Sequence, residues 1–443
     1  MHILVYSDGP VCPTGFGVVN RNIFEPLFQR DVCQRETTNF YSINYVGEWH
    51  PDQKNYRLWP ANIGLRADPD PYGRDRFCQM ALAGVWPIDV LFILQDHFTV
   101  APFVPALVQK LREQVAAGLR PPFVTIFYIP VDNHFLKPPW VDWVPEHVDF
   151  AVAYMHWSAR VITDLVPRLD GKLRVIYHGT NPETYYPIPE AEREQFRQQV
   201  MGLKPGQPLM LFVNRNQPRK DPARALQILN LARARLPELV GYFHLNPQDS
   251  AGFSMGEVAG QLRLPQGVVR FPANFSEGIG VPVDVLNRIY NAADVFVTTA
   301  RGEGYGLSVT EAMCAGRLCI APKHTSFAEL LADDRGLLVP PLKGGDAVLP
   351  MDNDQFRPCA DVDAMAQKVV WALEHREHAA GIARRGMEWA QALAWSGPIA
   401  DQWEQVFREA YAEVAKRRAP QPAATGTFRF TADALPAGLT AAA

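Results

Sequence analysis

Apolar residues in this chain fall in short unbroken runs rather than in strict alternation with polar ones. In the first part the runs are HILVYS, NFYSINYV, VLFILQ, FVTIFYIPV, FAVAYM and RVIYHG. Runs of this length, rich in Val, Ile, Phe and Tyr, predict strands buried on both faces of a parallel sheet. Helical periodicity separates most of them, and the βα rhythm predicts a doubly wound α/β domain. A second series follows: LMLFVN, GYFHLN, VVRFPA, DVFVTT, RLCIAP and GLLVP. Between the two series lies NPETYYPIPE, from Asn181, whose prolines predict a stiff linker. The chain is therefore expected to divide into one domain over residues 1–182 and another over 183–396. An amphipathic helix over 397–418 follows. The last residues, 419–443, are rich in Ala, Pro, Thr and Gly and are expected to be disordered.

The densest chemistry lies in Arg301–Arg317, RGEGYGLSVTEAMCAGR. The buried run from Asp294 empties into a turn with Gly302, Gly304 and Gly306, and a helix is expected from Ser308 to Gly316. A strand, a glycine turn and a helix N-terminus together suit an anion, because close backbone N–H groups and the helix dipole both favour negative charge. Glu303 lies in the turn, where open α/β sheets bind ligands. Glu311 lies in the first helical turn, eight positions on. Ser308 and Glu311 also spell a capping box, in which the glutamate only ties down the helix start.

A second strand–turn–helix, LMLFVNRNQPRKDPARALQIL from Leu209, offers Arg215, Arg219 and Lys220 before an Asp221-Pro222 helix start. Arginine chelates phosphate oxygens and lysine acts as a point charge, so the trio suits a diphosphate; taken alone, three loop cations are more often solvated surface. In the first domain, Ser7-DGPVCPTGFGVVNRN holds Thr14, Gly15 and Gly17 before a helix expected at Val18. It lacks the G-x-G-x-x-G spacing of a nicotinamide site. Gln95-Asp96-His97 and Asp132-Asn133-His134 each follow a buried run and place candidate polar groups at a cleft mouth.

The EGYGLSVTEAMCAG block, with its E-x7-E spacing, resembles the donor-sugar motif of retaining nucleotide-sugar glycosyltransferases with the GT-B fold, the family-4 type (glycosyl transferases group 1). Arg215 and Lys220, five apart, fit that family's basic turn, with Asn214 where a glycine usually precedes the arginine. The resemblance is firm over roughly 190–404 and looser before it. It implies a GT-B fold of two tandem Rossmann-like domains facing across a cleft. It also implies transfer of a sugar from a UDP- or GDP-linked donor to a hydroxyl, with retention, without a divalent metal or other cofactor. Arg215 and Lys220 would neutralise the diphosphate, joined by Arg219, and Glu303 would hold the sugar. Glu311 would accept from the ribose, with Gly304, Tyr305, Gly306 and Leu307 along donor and phosphates. Gly15 and Gly17 would close over the diphosphate, and Asn274, in FPANF, would border the base. Where the family carries a histidine after the YIPV strand, this chain has Asp132, with His134 two positions on; His97 is a further acceptor-side candidate. His178 lies in a turn that is more often structural.

Composition narrows the remaining choices. In 443 residues, 47% hydrophobic and 20% charged content describe an ordinary globular protein, and no apolar run is long enough to span a bilayer. Six scattered cysteines and a start that reads as a strand fit a reduced, cytoplasmic protein. The DPD at 68–70, interleaved with proline, reads as a turn rather than a metal motif. Up to Glu190 the chain has 16 Lys+Arg against 20 Asp+Glu, so no polyanion groove is indicated. The expected acceptor is a saccharide or small molecule, with a lipid or modified DNA base less favoured. A nucleotide-sugar 2-epimerase type of isomerase and a catalytically silent binding protein share this fold and stand as alternatives.

Overall fold

The computed structural model describes residues 1–61, 70–273, 280–349 and 352–419. The first sheet comprises β1 (Ile3–Asp8), β2 (Thr38–Ile43), β3 (Arg57–Pro60), β4 (Val90–Ile93), β5 (Val124–Ile129), β6 (Phe150–Ala153) and β7 (Arg174–Val175). Its order is β3-β2-β1-β4-β5-β6-β7, with every pair parallel. The second sheet comprises β8 (Leu209–Val213), β9 (Val240–His244), β10 (Val269–Arg270), β11 (Val295–Val297), β12 (Leu318–Pro322) and β13 (Leu337–Val339). Its order is β10-β9-β8-β11-β12-β13, again all parallel. The strands are buried because helices cover both faces, which is why the sequence shows runs and not alternation.

Each sheet reverses its strand order once, between β1 and β4 in the first and between β8 and β11 in the second. Such switch points leave a crevice beyond the strand ends, because neighbouring connections depart to opposite faces. The loops at these two places are 9–14 and 94–97 in the first domain, and 214–221 and 298–306 in the second.

Two elements have no counterpart in the sequence reading. β3 is a short, half-exposed edge strand inside the aromatic stretch after residue 40. A small hairpin, β14 (Ala347–Val348) with β15 (Phe356–Arg357), stands apart from both sheets. Helix starts also shift. The first helix begins at Gly15, three residues before Val18, because Thr14 caps it by accepting from the Gly17 N–H at 3.1 Å. The last helix begins at Ala400 rather than 397, because Gly397 adopts a non-helical conformation and Pro398 follows it. The final residues, 420–443, and Asp68 of the DPD triplet lie outside the described residues.

The chain crosses between the domains near Thr180 and again near Ala394, and the two crossings are bonded to each other. Thr180 N–H donates to Leu393 at 2.8 Å, and Trp395 N–H donates to Thr180 at 2.9 Å. A Cβ on Gly179 would lie 2.6 Å from the Trp395 ring, so only glycine permits this approach. After the second crossing, the helix Ala400–Arg418 lies on the first domain. Trp403 packs on Tyr128 and Phe92 with ring centroids 4.8 and 5.6 Å away, and Arg417 reaches Asp149 at 2.6 Å. No helix among the described residues is long and apolar enough to cross a membrane.

Trp403 is fully buried between that helix and the first sheet. Trp403→Ala should cost about 3–5 kcal/mol, read as a lowered midpoint in chemical unfolding followed by circular dichroism.

Candidate active site

Glu303 is the centre of an ionic chain that crosses the cleft. Its turn leaves β11 and is fixed by the Arg301 N–H, which donates to the Arg219 carbonyl at 2.8 Å. That bond ties the glycine turn to the basic turn after β8. Lys220 Nζ bonds Glu303 Oε1, and Arg219 Nη1 lies 3.5 Å from Oε2. The same Nη1 lies 3.4 Å from the Asp132 carboxylate at the end of β5, in the other domain. Arg357, in β15, completes the chain. Its Nη2 is 3.1 Å from Asp132 Oδ1, its Nη1 donates to the Asp132 carbonyl at 2.9 Å, and its Nε bonds Asp352.

The charges here set one another's protonation. Burial raises the Glu303 carboxyl, but Lys220 and Arg219 outweigh that and hold it below the usual range. Burial likewise raises Asp132, yet Arg219 and Arg357 bring it down to about 2. Burial lowers the Lys220 ammonium, and despite Glu303 it falls to about 8. Asp96, at the end of β4, has the opposite fate: burial and then neighbouring Asp132 push it up to about 7. Two nearby carboxylates, one at each extreme, are the pattern of a site that separates ionised from protonated acid.

Backbone geometry makes this convergence possible. A Cβ on Gly302 would sit 2.2 Å from the Asp132 carbonyl oxygen and 2.5 Å from Arg357 Nη1. Gly306 has φ of 102° and precedes the helix Leu307–Cys314 without a side-chain cap. The capping box of Ser308 and Glu311 is therefore not formed, and the helix starts one residue before Ser308. Thr325, with φ of 44°, holds a conformation unfavourable for a β-branched residue. Its Oγ1 accepts the Glu303 N–H at 3.2 Å, so strain is tolerated where it orients the site.

The other expected residues are distributed more widely. Arg215 does not join Lys220; it is more than half exposed, and its Nε lies 3.1 Å from Asp249. Glu311 accepts from the Tyr290 hydroxyl at 2.7 Å, and burial raises its carboxyl to about 7. Tyr305 is buried and donates to the His178 carbonyl at 2.6 Å, so its hydroxyl serves the interdomain packing rather than an open donor site. His178 sits in the same aromatic cluster, its Nδ1 2.7 Å from the Tyr128 hydroxyl, as a structural histidine would. His97 is buried and lies against Pro130 and Trp140, while His134 is exposed and faces Trp157 at 5.4 Å. Gly17 is required, since a Cβ there would lie 2.4 Å from the Cys12 carbonyl, whereas Gly15 faces open space. Gly304 and Leu307 flank the turn, with a Cβ on Gly304 lying 3.5 Å from the Tyr154 ring. Asn274 lies outside the described residues.

Two members of the site escaped the sequence reading, and a third was named there without being singled out. Arg357 comes from a hairpin with no periodic signal, and Tyr154 from the interior of a strand end. Asp96 lay beside the favoured His97; its place next to the first switch point was the signal that singles it out.

Two Rossmann-like domains with parallel sheets, meeting across a charged cleft, define the GT-B class. Residues 269–375, a segment of the second domain, match the family model described as Glycosyl transferases group 1. The D-inositol 3-phosphate glycosyltransferase of Mycolicibacterium gilvum is 25% identical over 181 residues, covering 40% of this chain and 38% of the relative. The phosphatidyl-myo-inositol mannosyltransferase of Mycolicibacterium smegmatis is 28% identical over 192 residues, covering 42% of each. The alignments thus span about two fifths of these relatives' length. Over the whole fold, Anabaena HepE in complex with UDP-glucose superposes with a TM-score of 0.67 at 15% identity, covering 92% of this chain and 100% of that one. Sucrose-phosphate synthase from Thermosynechococcus elongatus gives 0.66 at 18% identity, covering 93% and 100%.

Arg357→Ala removes the guanidinium shared by the partly buried Asp352 and Asp132 carboxylates, leaving Asp132 with Arg219. It should destabilise the protein by about 3 kcal/mol in denaturant unfolding. X-ray scattering should also show a larger radius of gyration as the β14–β15 hairpin releases the first domain.

Proposed function

We propose that the protein is a retaining glycosyltransferase moving a sugar from a nucleoside-diphosphate sugar to a hydroxyl acceptor. The observation that carries this reading is the convergence of Lys220 and Arg219 on Glu303 at the second switch point, beside the N-terminus of the helix Leu307–Cys314; Glu303 and that helix fall within the matched group 1 segment. A cytoplasmic location and action without a bound metal belong to the same proposal. Relatives named for inositol derivatives support a polyol or saccharide acceptor, and the UDP-glucose complex of HepE makes a UDP-sugar the first donor to test.

Transfer breaks the bond from the anomeric carbon to the diphosphate oxygen, and the bonding electron pair leaves with the diphosphate. Negative charge therefore builds on the phosphates as the sugar becomes oxocarbenium-like. Lys220, with Arg219, stands where that charge develops, and the uncapped N–H groups after Gly306 add to it. Arg215 reaches the diphosphate by exchanging Asp249 for phosphate. Glu303 holds sugar hydroxyls and faces the cationic ring, and Glu311 accepts from the ribose. The acceptor oxygen bonds the anomeric carbon on the face that the diphosphate leaves. Its proton passes to the departing phosphate oxygen, so no side-chain nucleophile takes part.

A panel of UDP-, GDP-, ADP- and TDP-sugars without acceptor, read by released nucleotide and thermal shift, tests the reading directly. One donor should stabilise the protein and be hydrolysed slowly. An epimerised sugar would instead indicate an isomerase, and binding of no donor would sink the proposal. With the donor known, Glu303→Gln and Lys220→Ala should each lower kcat by about two to three orders of magnitude with the fold intact.

Because the Lys220 ammonium sits near 8 in the free protein, it is charged below that pH and neutral above it. kcat/KM should therefore fall about tenfold per pH unit above pH 8. Lys220→Arg, charged throughout, should abolish that alkaline limb in a pH-rate profile.

A further inference from the structure

The first-domain wall of the cleft holds polar groups that donor recognition leaves unused. Asp96 is half-buried, and its hydrogen bonds among the described residues are made by its backbone alone: the N–H donates to Gln95 and the carbonyl accepts from the Thr99 and Val100 N–H groups. Tyr154, at the end of β6, is almost wholly buried, and its hydroxyl has no partner among the described residues. It lies close enough to Asp96 to feel its charge. His97 directs Nδ1 at the Pro130 carbonyl, 2.9 Å away, leaving Nε2 buried and unpartnered. Asp132 stands beside both Asp96 and His97. A buried polar atom without a partner is destabilising, so the Tyr154 hydroxyl and His97 Nε2, which follow strands of one sheet on either side of β5 and Asp132, mark groups kept for a ligand.

Charge narrows what that ligand is. The cations that Asp96 feels are Arg219 and Arg357, and both are already ion-paired, to Asp132 and Glu303 and to Asp132 and Asp352. Asp8, at the end of β1, adds a further carboxyl to the same wall, bonded to Thr14 and Gln95. A phosphate group placed here would meet carboxylates with no uncommitted cation among the described residues to balance it. Hydroxyl groups find acceptors in Asp96, Asp132 and His97 Nε2, and a donor in Tyr154.

We propose that Asp96, Asp132, Tyr154 and His97 form an acceptor subsite for an uncharged polyhydroxy unit, a sugar or cyclitol ring that carries no phosphate. The inference rests on the transferase reading above and narrows its acceptor. Gly304 faces the subsite from the second domain, where a Cβ would lie in van der Waals contact with the Tyr154 ring at 3.5 Å.

The test is saturation-transfer NMR on the full chain saturated with UDP, using glucose, mannose and myo-inositol paired with their phosphomonoesters. Signals should come from the neutral members and fall at least tenfold in Asp96→Asn and Tyr154→Phe, with circular dichroism as the folding control. Equal or stronger signals from the phosphomonoesters, or none from any neutral member, would overturn the subsite. Donor hydrolysis measured without acceptor keeps the two readings apart. A protein that hydrolyses its donor yet prefers phosphomonoesters loses this inference alone, whereas one that binds no donor loses the transferase reading as well.

Discussion

The cleft is organised by one electrostatic constraint: Arg219 must balance carboxylates from both domains at once. Its guanidinium lies between Glu303 and Asp132, which come from different sheets. A largely buried arginine is tolerated only when its charge is compensated, and here the compensation comes from both domains. The two sheets are thereby held at a separation set by the reach of a few side chains. Arg357 repeats the arrangement from the opposite direction, since it belongs to the second domain yet bonds Asp132 through both carboxylate and carbonyl. The hairpin that carries it also brings Gln355 to the Phe135 carbonyl at 2.6 Å and Asn133 to the Phe356 carbonyl at 3.0 Å. The glycine turn is fitted into the remaining space, which is why Gly302 has no room for a side chain.

This geometry explains why the two halves of the cleft were unequally legible. The donor half is built from contiguous strand–turn–helix segments, so Glu303, Arg219 and Lys220 carry their structural context with them in sequence. The parallel sheets were legible for the same reason, because each buried strand is a local apolar run. The first-domain wall of the cleft is assembled from the ends of β1, β4, β5 and β6, each contributing one or two residues. No spacing along the chain encodes that set. Only the order of the strands, with its reversal between β1 and β4, makes Asp96 a neighbour of Asp8. Arg357 was less legible still, since a two-residue strand in a loop has neither periodicity nor length.

Two pairs of residues show how local patterns mislead. Ser308 and Glu311 have the spacing of a capping box, but the helix begins at Leu307 after a left-handed glycine, so the serine is already inside it. The glutamate is left to Tyr290, where burial rather than helix capping governs its charge. Arg215 and Lys220 share a turn, yet Asp221, also with positive φ, bends the chain so that lysine faces the cleft and arginine faces Asp249. Spacing fixes which residues share a loop; the loop's conformation decides which of them meet.

The ionic chain also bears on how a charged donor would enter. Lys220 and Arg219 are not waiting cations, because Glu303 and Asp132 already satisfy them. Under the proposed function, a diphosphate arriving here would exchange with Glu303 for the same lysine, so binding would replace one ion pair by another instead of creating a pair from two solvated charges. That substitution avoids the desolvation penalty of exposing and then reburying an ammonium group. It also frees the Glu303 carboxylate at the moment a sugar needs a hydrogen-bond acceptor. The lysine's lowered proton affinity follows from the same economy of space: burial depresses it, and Glu303 only partly restores it. A dianionic diphosphate in place of one carboxylate would restore it further, so the donor itself stabilises the protonation state that its departure requires.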